Sequence, residues 1–374
     1  MTAEARPAQP QSIRRTLLPH LAAALVVLFA TTSIYVTAFH APRPRNVPIA
    51  VVATPANAAR IQLALNRSAP GAFDVRRLAS DAQARRAVAH AEVRGALVPG
   101  PRADRAYVAR AFGVSETLAT TTALQSLAAH ARVPLSVTDV VPLPARDRFG
   151  LSSLFTVVGT LLPSLAFGIG LAFLAARLAW MRRWGAILLY GVLAGFVIAL
   201  TVDVLVGALT TSFAGLALVG CLLALSVAAF AHGAVRLAGP AGILIALAVM
   251  MIVGLPSSGG AVTHELQPGF FAVISQWLPP GAALTAIRNQ QYFHWTGTLQ
   301  PLLTLAGWAL LGLALGIVGD HVRARPGSEA PLTDDRARGR RGDQRSVRAA
   351  QLPRHEADVA AAAHHAPVAA VLPR

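Results

Sequence analysis

The sequence predicts a mainly α-helical integral membrane protein, with a bundle of six transmembrane helices and a small extracytoplasmic α/β domain inserted between helices 1 and 2. Composition supports this fold class, since hydrophobic residues make up 54% of the 374 residues and charged residues only 13%. Soluble domains carry about 25% charged residues. Apolar runs long enough to cross the hydrocarbon core, about 20 residues, also recur along the chain, whereas residues 41–148 are rich in charge.

The first predicted span covers residues 17–39 and follows Arg14 and Arg15. A cleaved signal peptide is the alternative, but its apolar core would be about 7–15 residues long and would end at a small-x-small site. This run is longer and ends at Phe39-His40, so we predict a retained helix. Five more spans are predicted within a membrane domain at 151–320, at residues 154–174, 186–206, 212–231, 238–255 and 299–318.

Residues 40–150 alternate short apolar runs with turn residues, a pattern typical of a layered α/β domain. We expect Ser115 to cap the last helix of this domain. The predicted strands are 49–53, 73–78, 95–98, 107–111 and 135–141, and the predicted helices are 57–66, 81–91 and 115–130.

Arginine in the short loops predicts the orientation, because cytoplasmic loops carry the excess of basic residues. The short connections on the side of the N-terminus contain eight arginines, whereas the loop at 207–211 contains none and the segment 256–298 contains only Arg288. These eight are Arg14, Arg15, Arg177, Arg182, Arg183, Arg236, Arg323 and Arg325. Residues 1–16 are therefore predicted to be cytoplasmic, and residues 321–374 form a cytoplasmic tail whose composition favours disorder. Arginine without lysine and abundant alanine indicate a biased, GC-rich genome, so we expect a bacterial plasma membrane.

The segment 256–298 is predicted to be an interfacial or re-entrant helix rather than a plain linker. Phe270, Phe271 and Trp277 recur at helical spacing and are candidate interfacial anchors, and Pro279-Pro280 is expected to end the helix. The plain linker with ordinary interfacial aromatics is the alternative.

Four residues of this segment are candidates for a transport path or gate. Gly259 and Gly260 are expected to break the fifth span near the outer surface, because glycine adopts backbone angles that other residues resist. Glu265 and Arg288 flank the predicted helix, and we expect them at a rim where a charged headgroup could pass. A plain solvent-exposed pair is the alternative.

Asp203 is the one acidic residue within a predicted span. A carboxylate at the bilayer centre costs about 2.5–3.5 kcal/mol and usually faces a bundle interior or a water-filled path. Asp203 is therefore a further candidate for the path, although it lies near the outer end of its span, where it could simply reach water.

Several function classes are excluded by residues that the sequence lacks. All 33 basic residues are arginine, so the lysine of a phosphate-binding loop cannot be present. A single cysteine, Cys221, permits neither an intrachain disulfide nor a cysteine metal site. The net charge of +16 is not gathered on a basic face with aromatics, so we expect no nucleic-acid partner. The sequence predicts no catalytic residue, no cofactor and no metal.

Six short motifs carry a resemblance to a known family. They are VPIAVV at 47–52, GALVP at 95–99, SGG at 258–260, LQP at 266–268, WLPP at 277–280, and Arg288. In this order they resemble ABC-2-type transporter permeases, in particular the YhgE/Pip-like (phage infection protein-like) subgroup, over roughly residues 15–320. Gln267 departs from the pattern, since the family commonly has an apolar residue there. The outer domain is also shorter than in phage-infection members.

The resemblance implies an export permease for an amphipathic or lipid-like substrate, driven by a separate ABC ATPase and paired with a second copy or a homologous permease. The candidate docking site for the ATPase is the short cytoplasmic connection with Arg177, Trp180, Arg182 and Arg183, for which ordinary positive-inside anchoring is the alternative. The rival function is a membrane-anchored surface protein, either phage-receptor-like or a secretion scaffold, that transports nothing. A membrane enzyme finds little support, because the spans offer no facing carboxylates.

Overall fold

The computed structural model describes residues 10–174 and 178–324. Helix α1, Pro10–Phe39, precedes an α/β domain, and the remaining helices follow it. Six helices of this described part are long and apolar enough to cross a membrane, which confirms the predicted multi-pass helical fold. They are Leu18–Phe39, Ser152–Leu174, Trp180–Leu205, Phe213–Ala238, Pro240–Ser257 and Leu299–Arg323.

The α/β domain is built on a mixed five-stranded sheet. Its elements are β1 (Val47–Val52), α2 (Pro55–Ser68), β2 (Phe73–Leu78), α3 (Asp81–Ala89), β3 (Gly95–Val98), β4 (Asp104–Val108), α4 (Val114–Ala131) and β5 (Leu135–Asp139). The strand order is β2-β1-β3-β4-β5. Strand β1 is parallel to both of its neighbours, β3 and β4 are antiparallel, and β5 is parallel to β4. Because α2 and α4 pack on one face and α3 on the other, the sheet is buried on both sides.

Local chemistry explains where the domain's helices begin. The side chains of Thr54 and Ser80 accept hydrogen bonds from backbone amides in the first turns of α2 and α3, as N-cap residues do. The predicted cap at Ser115 is wrong, because α4 begins at Val114 and its N-cap is Gly113 with φ +116°. The Ser115 hydroxyl instead donates to the carbonyl of Ala261, 3.4 Å away, outside the domain.

Helix α7, Phe213–Ala238, is the centre of the membrane bundle. It lies against α5 (Ser152–Leu174), α6 (Trp180–Ala199) and α12 (Leu299–Ala324). The approach is close at glycines: an added Cβ at Gly168, Gly195 or Gly233 would lie 2.2–2.3 Å from a backbone oxygen of the facing helix. Small residues have this role in membranes because packing, rather than the hydrophobic effect, drives helix association there.

Two of the spans end in π-helical turns. Helix α6 continues through Leu200–Leu205, and α8 (Pro240–Leu247) continues through Ala248–Gly254 into α9 (Leu255–Ser257). Such turns are rare and occur mostly at functional positions. Asp203 lies in the first of these turns.

The segment after α9 forms two helices bent by 70° rather than one. A short 3-10 turn, His264–Leu266, leads into α10 (Gly269–Ser275) and then α11 (Pro279–Tyr292). The bend is that of a broken span or a re-entrant loop. Pro279-Pro280 begins α11, a helix that the sequence did not indicate, because proline fits the first turn of a helix. Residues 282–287 of α11 are buried in the bundle core, except the half-buried Thr285.

Candidate functional site

The α/β domain and the segment 256–298 meet at a junction that is held first by backbone hydrogen bonds. The amides of Arg43 and Arg45 donate to the carbonyls of Leu266 and Glu265, at 3.0 and 2.9 Å. The Arg45 guanidinium also donates to the carbonyl of Gln267. The linker between α1 and the domain thus runs alongside residues 265–267, which lie just before the bent helix pair α10–α11.

Phe293, which follows α11, inserts into the α/β domain. Its ring stacks on Phe112 with centroids 4.6 Å apart, and only 2% of the residue is exposed. The preceding Tyr292 donates a hydrogen bond to Asp147, whose other carboxylate oxygen accepts from the amides at the start of α5. Stacked aromatic pairs contribute about 0.5–1.5 kcal/mol beyond their buried area, so α11 is firmly attached to both the domain and the bundle.

A buried charge cluster lies beside this aromatic contact. Arg94 Nε and Nη2 both donate to Glu265 Oε1, at 3.0 and 2.6 Å. His264 Nε2 lies 3.1 Å from the same oxygen. The Arg94 guanidinium also lies 4.4 Å above the Phe112 ring, a cation–π contact. The carboxylate of Glu265, in the segment 256–298, is therefore bound by Arg94 of the α/β domain.

Glu116, on α4, is the second carboxylate of the cluster and is 2% exposed. Its Oε1 lies 3.1 Å from Arg94 Nε, yet that N–H donates to Glu265, and Glu116 Oε1 receives no hydrogen bond. Burial, together with the nearby Glu265 carboxylate, raises the pKa of Glu116 to about 7 against the opposing effect of Arg94. Glu116 therefore keeps its proton to a much higher pH than an ordinary glutamate does.

Glu265 has the opposite electrostatics. Burial acts to raise its pKa, but Arg94 and His264 outweigh it and hold the pKa far below its usual range. For His264, burial lowers the pKa, and the Glu265 carboxylate outweighs that effect and raises it overall. One carboxylate of the pair is thus held ionised while the other is held near neutrality, as expected when two acids share one cation.

Arg288 connects the cluster to the predicted glycine break. Its Nη1 and Nη2 donate to the carbonyls of Gly259 and Gly260, each at 3.0 Å. Gly259 has φ +78°, a conformation that glycine adopts without steric cost. The guanidinium replaces the helical hydrogen bonds that these carbonyls lose where the span ends.

A small cavity of about 50 Å³ lies within the cluster. Four oxygens of residues around it are buried without a hydrogen-bond partner: Glu116 Oε1, Ser258 Oγ, Thr263 Oγ1 and Glu265 Oε2. No group of three histidine, cysteine or acidic side chains in the described ranges could hold a metal ion. The space and the chemistry suit water, which orphaned buried polar atoms commonly bind.

The structure brings four of the five predicted path or gate residues together. Gly259, Gly260, Glu265 and Arg288 meet at the junction. The two glycines are buried, and the half-buried Glu265 and Arg288 are bound to protein groups rather than placed at an open rim. Asp203 does not belong to this cluster and lies half-buried in the last turn of α6.

The predicted anchors of α10 differ in their surroundings. Phe270 and Trp277 are exposed, by 66% and 62%, as expected for side chains that face lipid or headgroups, whereas Phe271 is buried in the protein. The Trp277 carbonyl accepts a hydrogen bond from Trp308 of α12 at 2.7 Å. This contact holds the end of α10 against the last span.

The predicted docking residues at the opposite end of the bundle also differ in their exposure. Trp180 and Arg182 are exposed, and Arg177 lies outside the described residues. Arg183 is 6% exposed and, together with Arg236, binds the carboxylate of Asp320 on α12. Arg183 therefore joins α6 to α7 and α12, and its charge is not presented to a partner.

Arg94, Glu116, His264 and Phe293 were not singled out from the sequence. Each lies in an ordinary local context, and Arg94 and Glu265 are 171 positions apart. Only the docking of the domain on the bent helix pair makes these four residues a site.

Comparisons with protein-family models, with curated proteins and with solved structures find no match to this chain.

Proposed function

We propose that this chain is the membrane permease subunit of an ABC-2-type exporter that moves an amphipathic or lipid-like substrate toward the side of the α/β domain. The observation that carries the proposal is the bent pair α10–α11, whose second helix is buried in the bundle core while its last residues enter the α/β domain. Non-helical backbone at membrane depth persists where it is buried in protein or lines a cavity. Transporters use such broken helices near their substrate paths.

In this proposal the junction is the gate at the extracytoplasmic end of the path. The Arg94–Glu265 pair and the Arg288 hydrogen bonds hold the closed state. Opening separates the segment 256–298 from the domain. Because the pKa of Glu116 is raised, the net charge of the junction during this step depends on pH. Asp203 is a polar position in the π-helical turn at the same end of the bundle.

The proposed partners follow from the resemblance and from the absence of lysine. A separate ATPase supplies the energy, and it contacts the cytoplasmic ends of the spans near Trp180 and Arg182, which are exposed. A second copy or a homologous permease completes the path. The membrane is the bacterial plasma membrane, with both termini cytoplasmic and residues 40–150 outside.

A surface protein that transports nothing is the second candidate. The firm attachment of the domain through Phe293 and Arg94 favours it, because a receptor needs a rigid mount. In that case the junction would never open.

Transport by membrane vesicles distinguishes the two. Inverted vesicles from cells that make the chain together with an ABC ATPase from the same genome should take up a fluorescent lipid when ATP is added. Vesicles with an ATPase whose catalytic glutamate is replaced, or without this chain, are the controls. ATP-dependent uptake that is the same with and without the chain would contradict the proposal.

A further inference from the structure

A lateral groove opens on the membrane face of the bundle between α5 and α6. Its volume is about 450 Å³, within the range of small-molecule sites. The groove lies toward the α/β domain, since it is lined by the first three turns of α5 and the second half of α6. The lining residues are Phe155, Thr156, Gly159, Thr160, Pro163, Tyr190, Leu193, Ala194, Val197, Ile198, Thr201 and Val202.

The groove exists because both helices pack mainly on α7, whereas Tyr190 of α6 contacts Ser164 and Phe167 of α5 at the end of the groove away from the domain. Gly168 of α5 and Gly195 of α6 each approach the α7 backbone too closely for a Cβ. A Cβ at Gly159, by contrast, would meet no atom within 4 Å. The space beside Gly159 is therefore open to whatever surrounds the helix.

The groove presents hydrocarbon, although three threonines and a tyrosine line it. The hydroxyls of Thr156 and Thr160 donate to carbonyls one turn earlier, both at 2.7 Å, so both hydroxyls have their partners within α5. The Tyr190 hydroxyl is within 3.2 Å of Ser164 Oγ, and its ring stacks on Phe167. An apolar chain can fill this surface without leaving these polar atoms unsatisfied.

Positive charge lies at the domain-side end of the groove. Arg146, in the connection that leads to α5, donates from Nη1 to the carbonyl of Val206, just after the π-helical end of α6. A Cβ at Gly207 would lie 2.5 Å from the same nitrogen. Arg148 is also exposed, and Phe149, 72% exposed, follows it at the start of the span. Both cations are thus placed where lipid headgroups lie, above the start of α5 and the end of α6.

We propose that this groove binds one acyl chain of an anionic phospholipid whose phosphate lies against Arg146. The charge at its mouth favours an anionic lipid over a helix from a second copy, which would bring no phosphate. Basic residues near a bilayer surface attract anionic headgroups by about 1 kcal/mol each. The idea that this lipid is the transported substrate rests on the proposed function, whereas the binding of lipid in the groove does not depend on it.

The test uses the full-length chain in nanodiscs that contain a photoreactive phosphatidylglycerol with the reactive group in its acyl chain. Irradiation should attach lipid to the α5 and α6 peptides that line the groove. The variant Gly159→Leu, which fills open space, should lose most of this labelling. Its matched control is Gly170→Leu. Gly170 is also an exposed glycine of α5 with nothing within 4 Å of an added Cβ, but it does not line the groove. This variant should label like the wild type.

Further variants test the contact between Arg146 and the lipid headgroup, and one more replaces Gly159→Leu if that variant misfolds. Arg146→Gln should lower labelling by phosphatidylglycerol about fivefold, the equivalent of about 1 kcal/mol. It should lower labelling by phosphatidylcholine less, because the choline ammonium offsets the charge of that lipid's phosphate. Arg102→Gln, in the domain, is its control. If Gly159→Leu does not fold, Ala194→Leu, on the opposite wall of the groove, takes its place.

Labelling that is unchanged in the groove-filling variant, or equal for the two lipids, would overturn the proposal. A dimer in the wild type that is lost in Gly159→Leu would identify a second copy as the occupant and would also overturn it. No ATPase is present in these experiments, so lipid binding without ATP-dependent transport in vesicles would refute the proposed function and leave this site standing.

Discussion

At the scale of single residues, the junction shows how one arginine sets two carboxylates to different protonation states. Arg94 directs its Nε and Nη2 hydrogens to Glu265, and Glu116 is left close to the guanidinium without a hydrogen bond from it. A buried carboxylate without such a bond favours its neutral form. The arrangement makes Glu116, a carboxyl group, change its charge near neutral pH, where His264 of the same cluster also has a raised pKa.

Glu116 therefore predicts a pH dependence of stability. Its pKa is raised from 4.5 to about 7 by burial and by Glu265, so between these values the folded state holds a proton that the unfolded state has released. The stability from this group is full below pH 4.5 and is lost as pH rises through 7. Glu116→Gln, which keeps a neutral side chain, should gain stability relative to the wild type as pH rises from about 5 to about 8, by roughly 2 kcal/mol.

Thermal unfolding of the purified protein across this pH range measures the difference, and the exposed Glu92→Gln serves as control. Taking the variant minus the wild type removes the contributions of His264 and Glu265 that both proteins share. A constant difference across the range would show that Glu116 is ionised throughout.

At the scale of elements, the bent pair α10–α11 is held in place by its ends rather than by helix propensity. Gly259 at φ +78° turns the chain out of the fifth span, and Arg288 binds the carbonyls that the turn exposes. An added Cβ at Gly260 would lie 2.3 Å from Leu154 Cδ1 of α5. The turn therefore requires glycine for two separate reasons, conformation and space.

The double variant Gly259→Val/Gly260→Val should impair transport while membrane insertion remains. Left-handed backbone costs a residue with a Cβ about 1–2 kcal/mol, and the second valine pushes the turn away from α5. Vesicle uptake and membrane fractionation measure the two effects. Gly269→Val is the matched control, because a Cβ there meets open space. Full transport by the double variant would mean that the segment is only a linker.

Much of the fold could be predicted from the sequence because its signals are local. The strands at 73–78 and 95–98 agree with the structure at both ends, and the six spans follow from apolar runs alone. Helix α11 was missed because its alanine-rich stretch carries no amphipathic pattern and Pro279-Pro280 resembles a stop. The site was found only in part, since Glu265 and Arg288 stand out as lone charges. Arg94, which binds Glu265, and Phe293, which stacks on Phe112, depend on tertiary docking.

At the scale of the whole molecule, the proposed orientation predicts which surfaces a reagent can reach. Arg102→Cys in the domain should react with an impermeant thiol reagent in intact cells, and Arg182→Cys should react only after permeabilisation. Both positions are exposed, and both variants are made with Cys221→Ala to remove the native thiol. Equal labelling of the two positions in intact cells would contradict the topology.

The central claim is that the junction between the α/β domain and the segment 256–298 opens during transport. The Ser115 hydroxyl and the Ala261 carbonyl are 3.4 Å apart, so these two positions lie close together across the junction and are the pair chosen for an oxidative crosslink. Ser115→Cys/Ala261→Cys in the Cys221→Ala background should lose ATP-dependent lipid uptake when oxidised and regain it with reductant, while each single cysteine variant transports under both conditions. Full uptake by the oxidised double variant, with the crosslink verified by mass spectrometry, would show that the junction stays closed and that it is not the gate.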